Sequence, residues 1–244
     1  MRTIKLTISY DGTRYKGWQV QPNGITIQEE IEKSIERVFG KHARLHGAGR
    51  TDSGVHAKFQ TAHFKTTNPI HVSKIPIALN SILPDDIAII KAEEKATDFH
   101  ARFNSKAKIY KYTILNAKSR DPFAEKYSWR VPYKLNVALM KREAEALVGK
   151  HDFKSFQATD KSDRESVRKI FYVRINKKKN TIVLRIEGNG FLYNMVRNIT
   201  GTLVDIGRGY LAEGSMNKIL KSRDRKQAGP TAPPQGLFLE EVKY

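Results

Sequence analysis

Cysteine is absent from the 244 residues, which excludes disulfides, thiolate nucleophiles and every cysteine-based zinc or iron–sulfur site, and fits residence in the cytoplasm. Long apolar runs are missing too: none reaches the roughly 20 residues that a bilayer-spanning helix needs, and the first residues open directly on a strand pattern, so no membrane partner is expected. Acidic residues are scarce. There are 25 of them against 44 lysines and arginines, a formal charge of +19. Such a surface field concentrates polyanions, nucleic acid first among them. The seven histidines are dispersed. The nearest pair, His42 and His46, lacks a third histidine or carboxylate at metal-ligand spacing, so no metal is expected.

What is present suffices for an ordinary core: 39% of the residues are hydrophobic, enough for one large domain or two small ones. Ile4, Leu6, Ile8 and Tyr10 alternate with polar residues, the period of a strand with one buried face. After a loop from Asp11 to Gly24, Thr26-Ile27-Gln28-Glu29 reads as a capping box, opening a helix whose apolar face is Ile27, Ile31, Ile35 and Val38. Strands at Arg44 to Gly47 and Phe59 to Phe64, a helix from Ser73 to Ile82 and an apolar strand at Ile87 to Ile90 complete a β-α-β-β-α-β order. A second half repeats the rhythm. It has a strand from Ile109 to Leu115, a helix from Leu135 to Val148, a polar loop from Lys150 to Glu165, and strands at Val167 to Ile175 and Thr181 to Glu187 around the turn Lys177 to Asn180. A helix from Phe191 to about Ile206 and a last strand from Leu237 to Val242 follow. The expected fold class is therefore α+β: two ferredoxin-like halves, residues 1–106 and 107–244, with a central antiparallel sheet and a cleft between the halves.

The most unusual stretch is Gly47-Ala48-Gly49-Arg50-Thr51-Asp52-Ser53-Gly54-Val55-His56-Ala57. Three glycines and several small residues surround one arginine and one aspartate, so the backbone can approach a ligand closely and set both charges at the floor of a cleft. An ordinary turn has much the same composition. The Gly-x-Gly pair lacks the third glycine of a dinucleotide site, and the lysine of a P-loop is missing. Asp52 has no acidic neighbour between Glu36 and Asp85, which argues against a metal-dependent nuclease.

Placed after a strand and a helix, this loop resembles the signature of the tRNA pseudouridine synthase A (TruA) family. The resemblance runs from Ser9-Tyr10-Asp11-Gly12-Thr13 and Gly17-Trp18-Gln19 through Lys108-Ile109-Tyr110-Lys111-Tyr112 and His151-Asp152-Phe153-Lys154-Ser155-Phe156. It continues through Gly190-Phe191-Leu192-Tyr193-Asn194-Met195-Val196-Arg197 to Ala232-Pro233-Pro234-Gln235-Gly236-Leu237. It implies the pseudouridine synthase fold and a homodimer that isomerises uridines at nucleotides 38 to 40 in the anticodon arm of tRNA, without metal or organic cofactor. It also implies Asp52 as the nucleophile, trapping the sugar or adding to the base while the other fragment turns.

A nucleophilic carboxylate must stay ionised in a dry pocket, and a guanidinium is the natural device. Arg197 is the first candidate: on a helical wheel Phe191, Met195, Ile199, Leu203 and Ile206 share one face, and Asn194, Arg197, Asn198 and Gly201 lie opposite. A solvated surface arginine is the plain alternative. Arg50 has the right place to fill the space left by an extruded base or to hold a phosphate. Tyr110 shares a strand face with Tyr112 and Ile114, and Leu237 opens the last strand; both have the pattern of core residues. The resemblance instead sets Tyr110 and Leu237 against the target uracil. Basic groups at Lys118, Arg120, Lys126 and Arg130, at Lys177 to Lys179 and at Lys221 to Lys226 are candidates for the tRNA backbone. The rival from another class is a pair of RRM modules, which share the element order and the charge but require an aromatic RNP pattern that this chain lacks.

Overall fold

The computed structural model describes residues 1–158 and 165–244. In chain order the elements are β1 (Arg2–Tyr10), α1 (Ile27–Phe39), β2 (His46–Gly47), β3 (His56–Thr66), α2 (Ile75–Asn80), β4 (Ile87–Lys95), β5 (Ala107–Leu115), α3 (Pro122–Glu125), β6 (Trp129–Arg130), α4 (Val137–Glu145), β7 (Gly149–Asp152), β8 (Val167–Lys178), β9 (Thr181–Gly188), α5 (Met195–Gly207), α6 (Ser215–Ser222) and β10 (Leu237–Lys243). Two compact units result, one of residues 1–106 with 238–244 and one of residues 107–237.

In the first unit the alternation of β1 buries Ile4, Leu6 and Ile8 completely. β1 pairs antiparallel with β3 on one side and β4 on the other. The far edge of β3 takes β2 antiparallel and β10 parallel. The order β4-β1-β3-β2, with α1 and α2 as crossovers, is that of a ferredoxin-like unit. α1 buries Ile27, Ile31, Ile35 and Phe39, the last meeting Phe64 of β3 edge-on at 5.2 Å. The expected capping box closes from the threonine side: Thr26 Oγ1 accepts the Glu29 N–H at 3.4 Å, while the Glu29 carboxylate pairs with Lys33 at 2.8 Å. The helix expected from Ser73 divides into a 3-10 turn, Val72–Lys74, and α2, with Pro76 in its first turn.

In the second unit β5, β9, β8 and β7 pair antiparallel in that order, with β6 parallel to β5 at Ile114 and Leu115. The succession β5, α4, β8, β9, α5 repeats the β-α-β-β-α order, so both units are mixed α+β. The β8–β9 hairpin is tighter than the sequence suggests: Lys178 pairs with Thr181, leaving a two-residue turn whose Lys179 has φ 52°. Part of the expected polar loop from Lys150 to Glu165 is β7 and a 3-10 turn, Lys154–Phe156, and its residues 159–164 lie outside the described ones.

α5 departs most from the wheel. It starts at Met195 rather than Phe191, because Asn194 sits at φ 57° and interrupts helical backbone there. Its polar side is buried as well as its apolar one. Asn198 is fully buried and donates to the Phe156 carbonyl at 2.8 Å, and Gly201 lies so near residue 230 that a Cβ would stand 1.8 Å from the Pro230 carbonyl oxygen. Among the described residues no helix is long and apolar enough to cross a membrane.

Candidate active site

The loop carrying Asp52 joins β2 to β3 in the first unit, and its neighbours hold it at almost every residue. The Ala48 N–H donates to the Thr61 carbonyl at 2.7 Å, and Gln60 Nε2 donates to the Gly49 carbonyl at 2.9 Å. The Thr51 carbonyl accepts the Trp18 N–H at 3.1 Å, and its hydroxyl meets the Tyr10 hydroxyl at 2.7 Å. Beyond the aspartate, the Ser53 hydroxyl and the Gly54 N–H both donate to the Tyr15 carbonyl, at 3.2 and 3.4 Å. The Val55 N–H closes a turn onto the Asp52 carbonyl at 3.1 Å. Thr51 and Val55 are buried, Asp52 is half-buried and Arg50 is exposed. The backbone is thus tied down on both sides of a carboxylate at the boundary of the unit's interior.

The early motif around Gly17 is explained by this loop. Gly17 has φ 92°, and a Cβ there would stand 2.6 Å from the Thr51 carbonyl oxygen. Only glycine meets both the backbone conformation and the close approach. Gly17, Trp18 and Tyr15 therefore form the cradle of the Asp52 loop. Buried Tyr10 completes it from β1. Burial holds the Tyr10 phenol well above the ordinary tyrosine range, and the charge of Asp52 adds to that rise, so Tyr10 stays a neutral hydroxyl beside the loop.

The second unit carries the other sequence candidates. Tyr110 is buried on β5, its ring edge-on to Phe191 at 5.1 Å. Arg197, in the first turn of α5, is half-buried and oriented from two directions. Its Nε donates to the Ala232 carbonyl at 2.7 Å and its Nη1 to Asn194 Oδ1 at 2.8 Å. The Ala232 N–H in turn donates to the Arg197 carbonyl at 3.2 Å. Arg197 is consequently no solvated surface arginine. Tyr112 donates its hydroxyl to the Pro233 carbonyl at 2.7 Å. Burial pushes its phenol up, with the Arg197 charge opposing the shift. Leu237 is buried and follows a 3-10 turn, Pro234–Gly236. The block from Ala232 to Leu237 is thereby fastened to α5 and β5.

Sequence reading missed three supports of the Asp52 loop, namely Tyr10, Gln60 and Tyr15, and the tie from Tyr112 to Pro233. Tyr10 and Tyr15 lie in or beside the early motif, which was a usable signal; Gln60 has none. Among the described residues no group of three or more histidine, aspartate or glutamate side chains is placed to hold a metal ion.

A sequence profile described as tRNA pseudouridine synthase matches residues 6–104 and 144–244. The chain is also similar to proteins named tRNA pseudouridine synthase A. It is 48% identical to that of Thermoanaerobacter pseudethanolicus, 46% to that of Caldicellulosiruptor bescii and 44% to that of Clostridium acetobutylicum, in each case over 244 residues and 100% of both chains.

Proposed function

Because the chain belongs to the tRNA pseudouridine synthase family, whose members convert uridine to pseudouridine in tRNA, we propose that Asp52 is the nucleophile of that isomerisation and that the target uridines lie at nucleotides 38 to 40 of the anticodon arm. The reaction breaks the bond from uracil N1 to the ribose, turns the base and joins C5 to the same ribose carbon. N1 gains a proton and C5 loses one, so no oxidant or reductant is required. A carboxylate can hold either fragment covalently during the turn, through the ribose or through the base.

The observation that supports Asp52 above all is the support of its loop: Thr51, Ser53 and Gly54 are each hydrogen-bonded to Tyr10, Trp18 or Tyr15. A nucleophile presented from fixed backbone loses little freedom when the substrate arrives. Arg197, Arg50, Tyr110 and Leu237 are assigned supporting roles in the same reaction. Arg197 supplies a fixed positive charge, Arg50 an exposed guanidinium for an extruded nucleotide or its phosphate, and Tyr110 and Leu237 apolar surface for the target base. Of the basic groups proposed for the tRNA backbone, Arg120 is already paired with Glu125 at 3.0 Å, whereas Lys177 and Lys178 at the end of β8 and Lys179 in the turn after it are exposed. A homodimer acting in the cytoplasm completes the reading.

The test is the Asp52→Asn protein in a single-turnover assay of tritium release from C5-labelled uridine in tRNA, beside a binding measurement on the same protein. The expected outcome is release at the detection limit with tRNA affinity close to that of the parent. Near-normal release would remove Asp52 as nucleophile.

A further inference from the structure

Outside the group around Asp52, the first unit holds a ladder of rings contributed by β2, β3 and the segment after β4. His46 and His63, partners across the β2–β3 pairing, stack at 5.1 Å and 23°. His100 lies 4.7 Å from His63 and 5.5 Å from His46, and Phe103 lies 4.3 Å from His100. The ladder is graded in depth. His63 is 3% exposed, His100 half-buried, His46 exposed, and Phe103 76% exposed. Only His46 and His63 stack; His100 meets His63 edge-on at 64° and His46 at a tilt of 56°. Among the described residues no group of three or more such side chains is placed to hold a metal ion.

Charge around the ladder is mostly positive. Arg44, Lys65 and Arg102 bear on the three imidazoles, with Glu32 opposing them at His46. Arg102 also lies over the Phe103 ring at 5.9 Å. Burial first, then the neighbouring imidazoles at His46 and His63 and these cations, lower all three, His63 to about 4, so the rings are neutral at pH 7. Neutral rings packed edge-on and tilted, ending in an exposed phenylalanine and rimmed by cations, match the pattern that holds single-stranded nucleic acid: an aromatic face for a base and positive charge for its phosphates. A protein partner would need acidic groups to meet the same rim.

We propose that the His63–His100–Phe103 ladder is a second RNA-binding surface that stacks an unpaired base of the tRNA, in addition to the contacts of the target uridine. The proposal rests on tRNA being the substrate. Phe103 is the terminal ring and the point of contact, His100 supports it from below, and Arg102 and Lys65 serve the flanking phosphates.

The experiment compares Phe103→Ala, Phe103→Leu and Phe103→Trp in the full chain. It measures tRNA affinity, single-turnover pseudouridine formation at saturating tRNA, and sedimentation of the free protein. Phe103→Ala should weaken tRNA binding by about five-fold or more, the lower end of what one base stack contributes, with the saturated rate unchanged. Phe103→Trp should restore affinity and its fluorescence should be quenched on adding tRNA, while Phe103→Leu should not restore it. Parent-like affinity in Phe103→Ala, equal rescue by leucine, or an altered oligomeric state in Phe103→Ala would each overturn the proposal, the last by assigning the surface to a second copy of the chain. A parent protein that neither binds nor modifies tRNA would instead overturn the functional reading beneath it.

Discussion

The Tyr10 hydroxyl and the Thr51 hydroxyl lie 2.7 Å apart in the interior, joining β1 to the residue before Asp52. Tyr10→Phe removes one partner of this buried pair and leaves the other without it, which costs about 1–3 kcal/mol. The expected result is a lower urea midpoint together with a fall in kcat larger than any rise in KM, since the loop loses a support and the RNA surface loses nothing. Urea unfolding and steady-state kinetics on one preparation check both. Unchanged stability would mean that the pair does not hold the loop.

The exposed lysines at the end of the β8–β9 hairpin supply a second prediction. Neutralising Lys177 and Lys178, if they meet phosphate, should flatten the log–log dependence of tRNA affinity on salt by roughly one to two units. Binding isotherms at several salt concentrations measure it. An unchanged slope would exclude the hairpin from the RNA interface and leave Lys118, Lys126 and the basic groups near Lys221 as candidates.

Acid should weaken the first unit through His63. Its imidazole is lowered from the ordinary value of 6.5 to about 4, burial being the largest cause, and its Nδ1 accepts the Ala101 N–H at 3.1 Å. The folded state thus resists a proton that the unfolded chain accepts. Its contribution is full above pH 6.5 and is lost progressively as the pH falls from 6.5 towards 4. The drop in Tm between pH 7.5 and pH 4.5 should be smaller in His63→Gln than in the parent. An equal drop would assign the acid sensitivity to carboxylates such as Asp86 and Glu93, both held below their ordinary range by cationic partners despite opposing burial.

Elements whose cause is local were legible in the sequence. The strand pattern of β1 and the apolar stripe of α1 appear where alternation and helical spacing put them, and the Asp52 loop stood out by composition alone. Errors arose where a distant partner changed a local preference. The wheel sets Asn198 and Gly201 opposite the apolar face of α5 without showing what covers them, and residues 225–231 do so: Arg225 and Thr231 both donate to Asn198 Oδ1, at 3.1 and 2.7 Å, and Gly201 abuts Pro230. The start of α5 shifted because Asn194 takes positive φ, which no hydrophobic period reports.

By itself the sequence determined the strong positive charge, the exclusion of cysteine chemistry, the α+β order of elements and the identity of the loop that carries Asp52. These depend on residue type and on neighbours a few positions away, which a linear reading samples directly. Tertiary structure alone decided that Thr51 meets Tyr10 from 41 positions away, that Arg197 is held by Ala232 across 35, and that dispersed histidines form one ladder of rings. Such pairs arise when the chain closes long loops to bury apolar surface, and the closure that brings them together leaves no period or spacing in the sequence.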